Sequence, residues 1–189
     1  MNAIQLSIFS SRISAVCDEM GAVLRRAAFS PNIRDRLDYS CAVFDPQGQL
    51  CAQAAHIPVH LGSMAYAMAD LVQCREWLSG DMVVVNDPLL GGTHLPDVTL
   101  VAPVFVDRQC VAFVANRAHH ADIGGSTPGS MPPASRHIDE EGVLIPPTQL
   151  VRDGRLEEAA LRELLAGGRW PARRPDQNVA DLKAQLAAN

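Results

Sequence analysis

Residues 81–125 constrain this chain more than any other stretch. They hold three apolar runs with strand character, at residues 82–85, 98–106 and 111–115. Between the first two lies a turn-rich segment, residues 86–97, with Pro88, Gly91, Gly92 and Pro96. Asp107-Arg108, between the second and third, reads as a tight hairpin. The third run empties into Arg117-Ala118-His119-His120-Ala121-Asp122. His94, Asp97, His119, His120 and Asp122 therefore stand at or near strand ends, where loops carry chemistry.

The hairpin adds geometry to that pattern. Asp97 lies about as far from Phe105 as His119 lies from Cys110, so a turn centred on Asp107-Arg108 brings both to one end of the sheet. Zinc and manganese sites use imidazole nitrogen and carboxylate oxygen, and cysteine-free sets leave a position open for water or substrate. The expectation is that His94, Asp97 and His119 converge on one divalent cation. The competing reading is that His94 and Asp97 bond their own turn and that His119 is a satisfied core histidine. Strand alternation turns His120 away from His119, so both cannot ligate from a regular strand. His119 is favoured as the ligand, with His120 behind the ligands or facing substrate. Asp122 and Asp87 are candidates to accept the second ring nitrogen of a ligating histidine.

The flanking sequence supplies the frame. Residues 4–28 read as a helix, with Ile13, Val16, Met20, Val23, Leu24 and Ala27 at helical spacing, ended by Pro31. Tyr39–Phe44 and Leu50–Ala55 read as a hairpin around Asp45-Pro46-Gln47-Gly48. Asp38, at its rim, is either a surface carboxylate or a ligand. Ser63 opens a helix running to about Trp77, and His60 just before it is a candidate to line a site, more so than His56. After Asp122 a glycine- and proline-rich loop runs through Pro133, either a substrate or partner contact or a plain connection. A short strand is expected at residues 143–146, a turn at Asp153-Gly154, and helices at 157–165 and 177–188, the last with Val179, Leu182 and Leu186 on one face. The result is a mixed α/β (α+β) class: a largely antiparallel sheet of hairpins packed by N-terminal and C-terminal helices, in one domain over residues 1–189.

Net charge is −5 with both signs spread along the chain, so a nucleic-acid partner has no support. Arg12, Asp18, Glu19, Arg25 and Arg26 interrupt the apolar N-terminal segment, which is neither a signal peptide nor a membrane span. A cytoplasmic location is expected. The five cysteines are odd in number and none pairs as CxxC, so they read as small buried residues in a reducing compartment.

Several long motifs follow one another in order: RLDYSCAVFD at residues 36–45, HIPVHLGSM at 56–64, NDPLLGGTHLPD at 86–97, AHHADIGG at 118–125, EEGVLIPP at 140–147 and LKAQLAAN at 182–189. Together they resemble the hydantoinase B/oxoprolinase family. The resemblance implies the B component of an ATP-dependent cyclic-amide hydrolase. In such systems a hydantoinase A-like subunit uses ATP to phosphorylate a small cyclic amide, and the B part holds a metal and completes hydrolysis. It implies Asp38, His94, Asp97 and His119 as ligands of a divalent ion (Zn, Mn or Fe), with His120 or Asp122 as general base. Family members are longer, so the chain is expected to match their N-terminal portion. Competing readings are a subunit of an ATP-dependent ketone carboxylase of the acetone carboxylase type, or a non-catalytic domain that docks to a partner.

Overall fold

The structure, a computed structural model, describes residues 2–55, 57–60, 62–73 and 75–189. His56 and Cys74 lie outside the described residues. The chain order is helix α1 (Ala3–Ala27), short α2 (Pro31–Arg34), strands β1 (Tyr39–Phe44) and β2 (Leu50–Ala55), and helix α3 (Ser63–Leu71). Strands β3 (Met82–Val85), β4 (Asp97–Val106), β5 (Gln109–His119), β6 (Thr148–Arg152) and β7 (Arg155–Leu156) follow, then helices α4 (Glu158–Leu165) and α5 (Pro175–Ala188). The strands form one sheet in the order β2-β1-β5-β4-β3-β6-β7, and every adjacent pair is antiparallel. The mixed α/β class, the hairpins and the terminal helices agree with the sequence reading.

Helices cover both faces, which is why β1 is buried at every position. On one face, Tyr39, Cys41, Val43, Val114 and Ala118 pack with Cys17, Met20 and Leu24 of α1 and Ala184 of α5. Val98, Leu100 and Val84 on that side meet Leu161 and Leu165 of α4 and Val179 and Leu182 of α5. On the other face, Ala42, Phe44, Val83, Val85, Val101 and Ala115 pack against Met64, Met68 and Leu71 of α3. The period-2 alternation assigns side chains to faces, and the two helix layers make both faces apolar.

Local chemistry sets the boundaries. Asn2 and Gln5 form a reciprocal capping box at the start of α1, with bonds of 2.8 and 3.0 Å. Asp45 Oδ1 accepts from the backbone of Gln47 and Gln49 and so closes the β1–β2 turn. Asp107 and Arg108 both take positive φ, 48° and 65°, as the two-residue turn between β4 and β5 requires.

Four expectations need correction. The strand expected at 143–146 does not form; residues 143–145 are tied to Asn86 and Ile123 by single bonds instead of a ladder. Asn86 donates to the carbonyls of Leu95 and Val143, and its own carbonyl accepts from Ile145. Pairing with β3 starts later, at Thr148. Helix α3 stops at Leu71, and Trp77 folds back so that its indole N–H donates to the Val72 carbonyl. The buried positions of α1 are Cys17, Met20, Gly21 and Leu24, while Val16 is exposed. Of the cysteines, Cys17 and Cys41 are buried, Cys110 is half-buried and Cys51 is exposed. Among the described residues, no helix is long and apolar enough to cross a membrane.

Candidate metal centre

The β4–β5 register pairs Asp97 directly with His119. The β1–β5 register pairs Tyr39 with Ala118, and the His119 N–H donates to the Asp38 carbonyl at 3.0 Å. Asp38, His119 and Asp97 therefore form one row across three strand ends. Two inserts cover the row. Residues 86–97 bring His94 over it from one side. The 3-10 turn Pro58–His60, leading into α3, brings His60 from the other.

The contacts are close. His94 Nε2 lies 3.1 Å from His119 Nδ1, with ring centroids 4.9 Å apart. Both nitrogens are 3.4 Å from Asp97 Oδ1. Asp38 Oδ2 is 3.7 Å from His119 Nδ1, and His60 Nε2 is 3.5 Å from Asp97 Oδ2. The Thr93 hydroxyl donates to the same Asp97 oxygen. Side-chain exposure falls from 36% at His94 to 8% at His119 and 1% at Asp97, so the cluster opens to solvent on the His94 side.

These distances fit a cation. Ligand bonds of about 2.0–2.1 Å in tetrahedral geometry put neighbouring donor atoms about 3.3 Å apart. The three separations among His94, His119 and Asp97 are 3.1, 3.4 and 3.4 Å. Asp97 Oδ1 is buried and has no hydrogen-bond partner, which is costly for a carboxylate oxygen unless something binds it. The set is nitrogen and oxygen only, suited to zinc, manganese or ferrous iron.

Electrostatics keep the donors ready. Burial opposes charge on Asp97, but contacts from His119, His60, His94 and Thr93 outweigh it and hold its carboxyl well below the usual carboxylate range. Burial lowers the pKa of His94, and His119 and His60 push the same way against Asp97 and Asp38. Its ring is therefore neutral at neutral pH.

Arg117, 1% exposed, lies two residues inward from His119 on the same face. It donates to Thr99 Oγ1 at 2.8 Å, to Ser63 Oγ at 2.7 Å and to the Gly91 carbonyl at 2.9 Å. One guanidinium thus ties the sheet, α3 and the His94 loop together. Burial lowers its pKa to about 10, with Asp97 opposing the shift, so it stays charged. Sequence reading missed Arg117, Thr93 and Ser40, whose hydroxyl lies 2.9 Å from His60 Nδ1. The signal for Arg117 was the alternation itself, which places it and Thr99 one step behind His119 and Asp97.

Asp38, His94, Asp97 and His119 come together, and His60 joins them. His120 and Asp122, expected as general base, do not join them and have partners of their own. His120 faces the α5 side, fully buried, with Nε2 3.0 Å from Gln185 Oε1 and Nδ1 3.1 Å from Asn178 Nδ2. Asp122 accepts from the backbone of Gly124 and Gly129 and pairs with Arg173 at 2.9 Å, which organises the glycine-rich loop. Asp87 accepts from the Leu89 N–H and caps a 3-10 turn instead of supporting a histidine.

The family model described as hydantoinase B/oxoprolinase matches residues 2–189. The chain belongs to the hydantoinase B/oxoprolinase family. A 5-oxoprolinase of Dictyostelium discoideum is 46% identical over the whole chain, which spans 15% of that relative. The solved ATP-dependent caprolactamase from Pseudomonas jessenii superposes with a TM-score of 0.86 at 31% identity, covering 100% of this chain and 32% of the other. A nucleotide-free acetone carboxylase structure gives 0.88 at 20% identity, over 98% of this chain and 24% of that one, and shows the shared fold alone. This hydantoinase B/oxoprolinase chain thus spans between a seventh and a third of the length of these relatives.

Proposed function

We propose that this chain carries the metal centre of the hydrolytic B component of an ATP-dependent cyclic-amide hydrolase. Its substrate would be a cyclic amide phosphorylated by a hydantoinase A-like partner. The observation that carries the reading is the mutual approach of His94 Nε2, His119 Nδ1 and Asp97 Oδ1. Family membership supports it, as do relatives named for oxoproline and caprolactam, both cyclic amides.

Asp97 offers an ionised oxygen, and neutral His94 offers a lone pair from the solvent side. Asp38 stands at the rim, its Oδ2 3.7 Å from His119 Nδ1, as a further carboxylate donor within reach of the centre. Thr93 holds the second oxygen of Asp97, and Arg117 fixes the loop that delivers His94. A divalent cation held by these residues supplies Lewis acidity toward a substrate oxygen and makes water more acidic.

Elemental analysis of the purified chain after zinc, manganese or iron supplementation tests the reading, alongside His94→Ala and His119→Ala. The expected result is a bound divalent ion that both variants lose while remaining folded. Wild-type metal content in both folded variants overturns it. A folded chain that takes up no metal would favour the partner-docking alternative. The carboxylase alternative draws on a common fold at 20% identity, which carries no substrate information.

A further inference from the structure

We propose that a second divalent cation binds beside the first, between Asp38, His60 and Asp97, with the Asp97 carboxylate bridging the two. The inference rests on the reading of His94, Asp97 and His119 as a metal centre. The five side chains fall into two triads that share Asp97, and in each the donor atoms lie within 4.8 Å of one another. The two oxygens of Asp97 are divided between them. Oδ1 faces His94 and His119, and Oδ2 faces His60.

His60 is the decisive residue. It is fully buried. Its Nδ1 is fixed by Ser40 Oγ at 2.9 Å. Its Nε2 is aimed at the shared carboxylate, 3.5 Å from Asp97 Oδ2, yet forms no hydrogen bond. A ring with one nitrogen oriented by a hydroxyl and the other unpaired is the arrangement of a supported metal ligand. Each triad holds one such buried, unpartnered donor: Asp97 Oδ1 in the first and His60 Nε2 in the second. The 3.5 Å gap also matches the donor spacing around a single ion.

Charge balance identifies what accompanies the second ion. Two carboxylates and three imidazoles do not neutralise two dications, and the Arg117 guanidinium lies behind Asp97. A phosphate-bearing ligand supplies the missing negative charge. Paired cations about 3.5–4 Å apart clamp such groups in many phosphate-handling enzymes. The second ion is therefore the weaker one and is retained best with phosphate present.

The test is a manganese titration of the 189-residue chain, with and without inorganic phosphate, read by equilibrium dialysis and electron paramagnetic resonance. The expected result with phosphate is about two ions per chain with a spin-coupled spectrum. His60→Ala should hold about one ion, with the hyperfine pattern of an isolated centre. A wild-type chain that saturates at about one uncoupled ion with phosphate present overturns the second site and leaves the first standing. So does a His60→Ala chain with unchanged stoichiometry and coupling. A wild-type chain that binds no manganese sinks both readings. Ser40→Ala covers the case in which His60→Ala does not fold. It should weaken the second ion about tenfold and leave the first unchanged, and unchanged uptake of both ions overturns the proposal.

Discussion

On the α3 side of the sheet, His119 faces His94, Asp97 and Asp38, and two buried donor atoms beside it lack any hydrogen-bond partner. On the α5 side, one residue later, His120 has both ring nitrogens met by amides. Those amides belong to a wider network, in which Asn178 Oδ1 is itself buried without a partner. Gln185 also donates to the Val98 carbonyl and to Asn116, and Asn116 donates to the Gln185 carbonyl and to Asn189. Both sides leave buried polar atoms unmet, but on the α3 side they are an imidazole nitrogen and a carboxylate oxygen within one His/Asp cluster, whereas both nitrogens of His120 are met. A histidine with both nitrogens met helps to fix a fold, whereas unmet donor atoms gathered among good ligands mark a place where something binds.

Paired alanine variants give the largest effects and could break this contrast directly. His119→Ala should cost at least about 100-fold in metal affinity, with a modest change in stability. His120→Ala should leave metal affinity near wild type and cost about 3 kcal/mol of stability, because it strands the Gln185 and Asn178 amides in a dry site. Denaturant unfolding and metal titration read the two outcomes separately. Equal effects of both variants on metal uptake would abolish the distinction between the faces.

A smaller effect is expected where the site loop meets α3. Gly91 sits at φ 82°, and an added Cβ would lie 2.5 Å from Ala67 Cβ and 2.6 Å from its Cα and backbone nitrogen. Its carbonyl also accepts from Arg117. Gly91→Ala should cost about 2 kcal/mol and displace the loop that carries His94. Metal affinity should then drop about tenfold, less than for His119→Ala. Unchanged metal affinity in a destabilised chain would mean that His94 is placed without help from this contact.

The sequence made the hairpins legible because their determinants are local. Asp45-Pro46-Gln47-Gly48 and Asp107-Arg108 carry their own turn chemistry, and alternation then dictates which residues share a face. The row of Asp97 and His119 follows from that register. What stayed hidden depends on bonds between residues far apart in the chain. Asn86 holds residues 143–145, which shifts the next strand to Thr148, and nothing near Val143 announces it. His60 is a loop histidine until the fold sets it against Ser40 and Asp97. His120 and Asp122 looked catalytic because they adjoin His119. Their partners, Gln185, Asn178 and Arg173, all come from the C-terminal part of the chain, more than 50 residues later.

The gentlest probe concerns Asp122, whose place on the structural side of the contrast can be sharpened with acid. Burial opposes its ionisation, but the N–H groups of Gly129, Gly124 and Arg173 and the Arg173 guanidinium prevail and lower its pKa. A carboxylate depressed in the folded state adds stability that is complete above the ordinary aspartate pKa of about 4 and fades as pH falls through the depressed value. The Arg173 side chain is 36% exposed, so solvent screens the pair and its share is about 1 kcal/mol or less. Arg173→Ala should therefore destabilise the chain slightly at pH 7 and not at all once the pH lies below the depressed Asp122 value, where the carboxyl is protonated in both proteins. Amide exchange over residues 123–130 should speed up in the variant with the same pH dependence, since Asp122 gathers the N–H groups of Gly124 and Gly129. Metal affinity at neutral pH should not change. If it falls with Arg173→Ala, Asp122 communicates with the His119 cluster after all, and the two sides of the sheet are less separate than their hydrogen bonds imply.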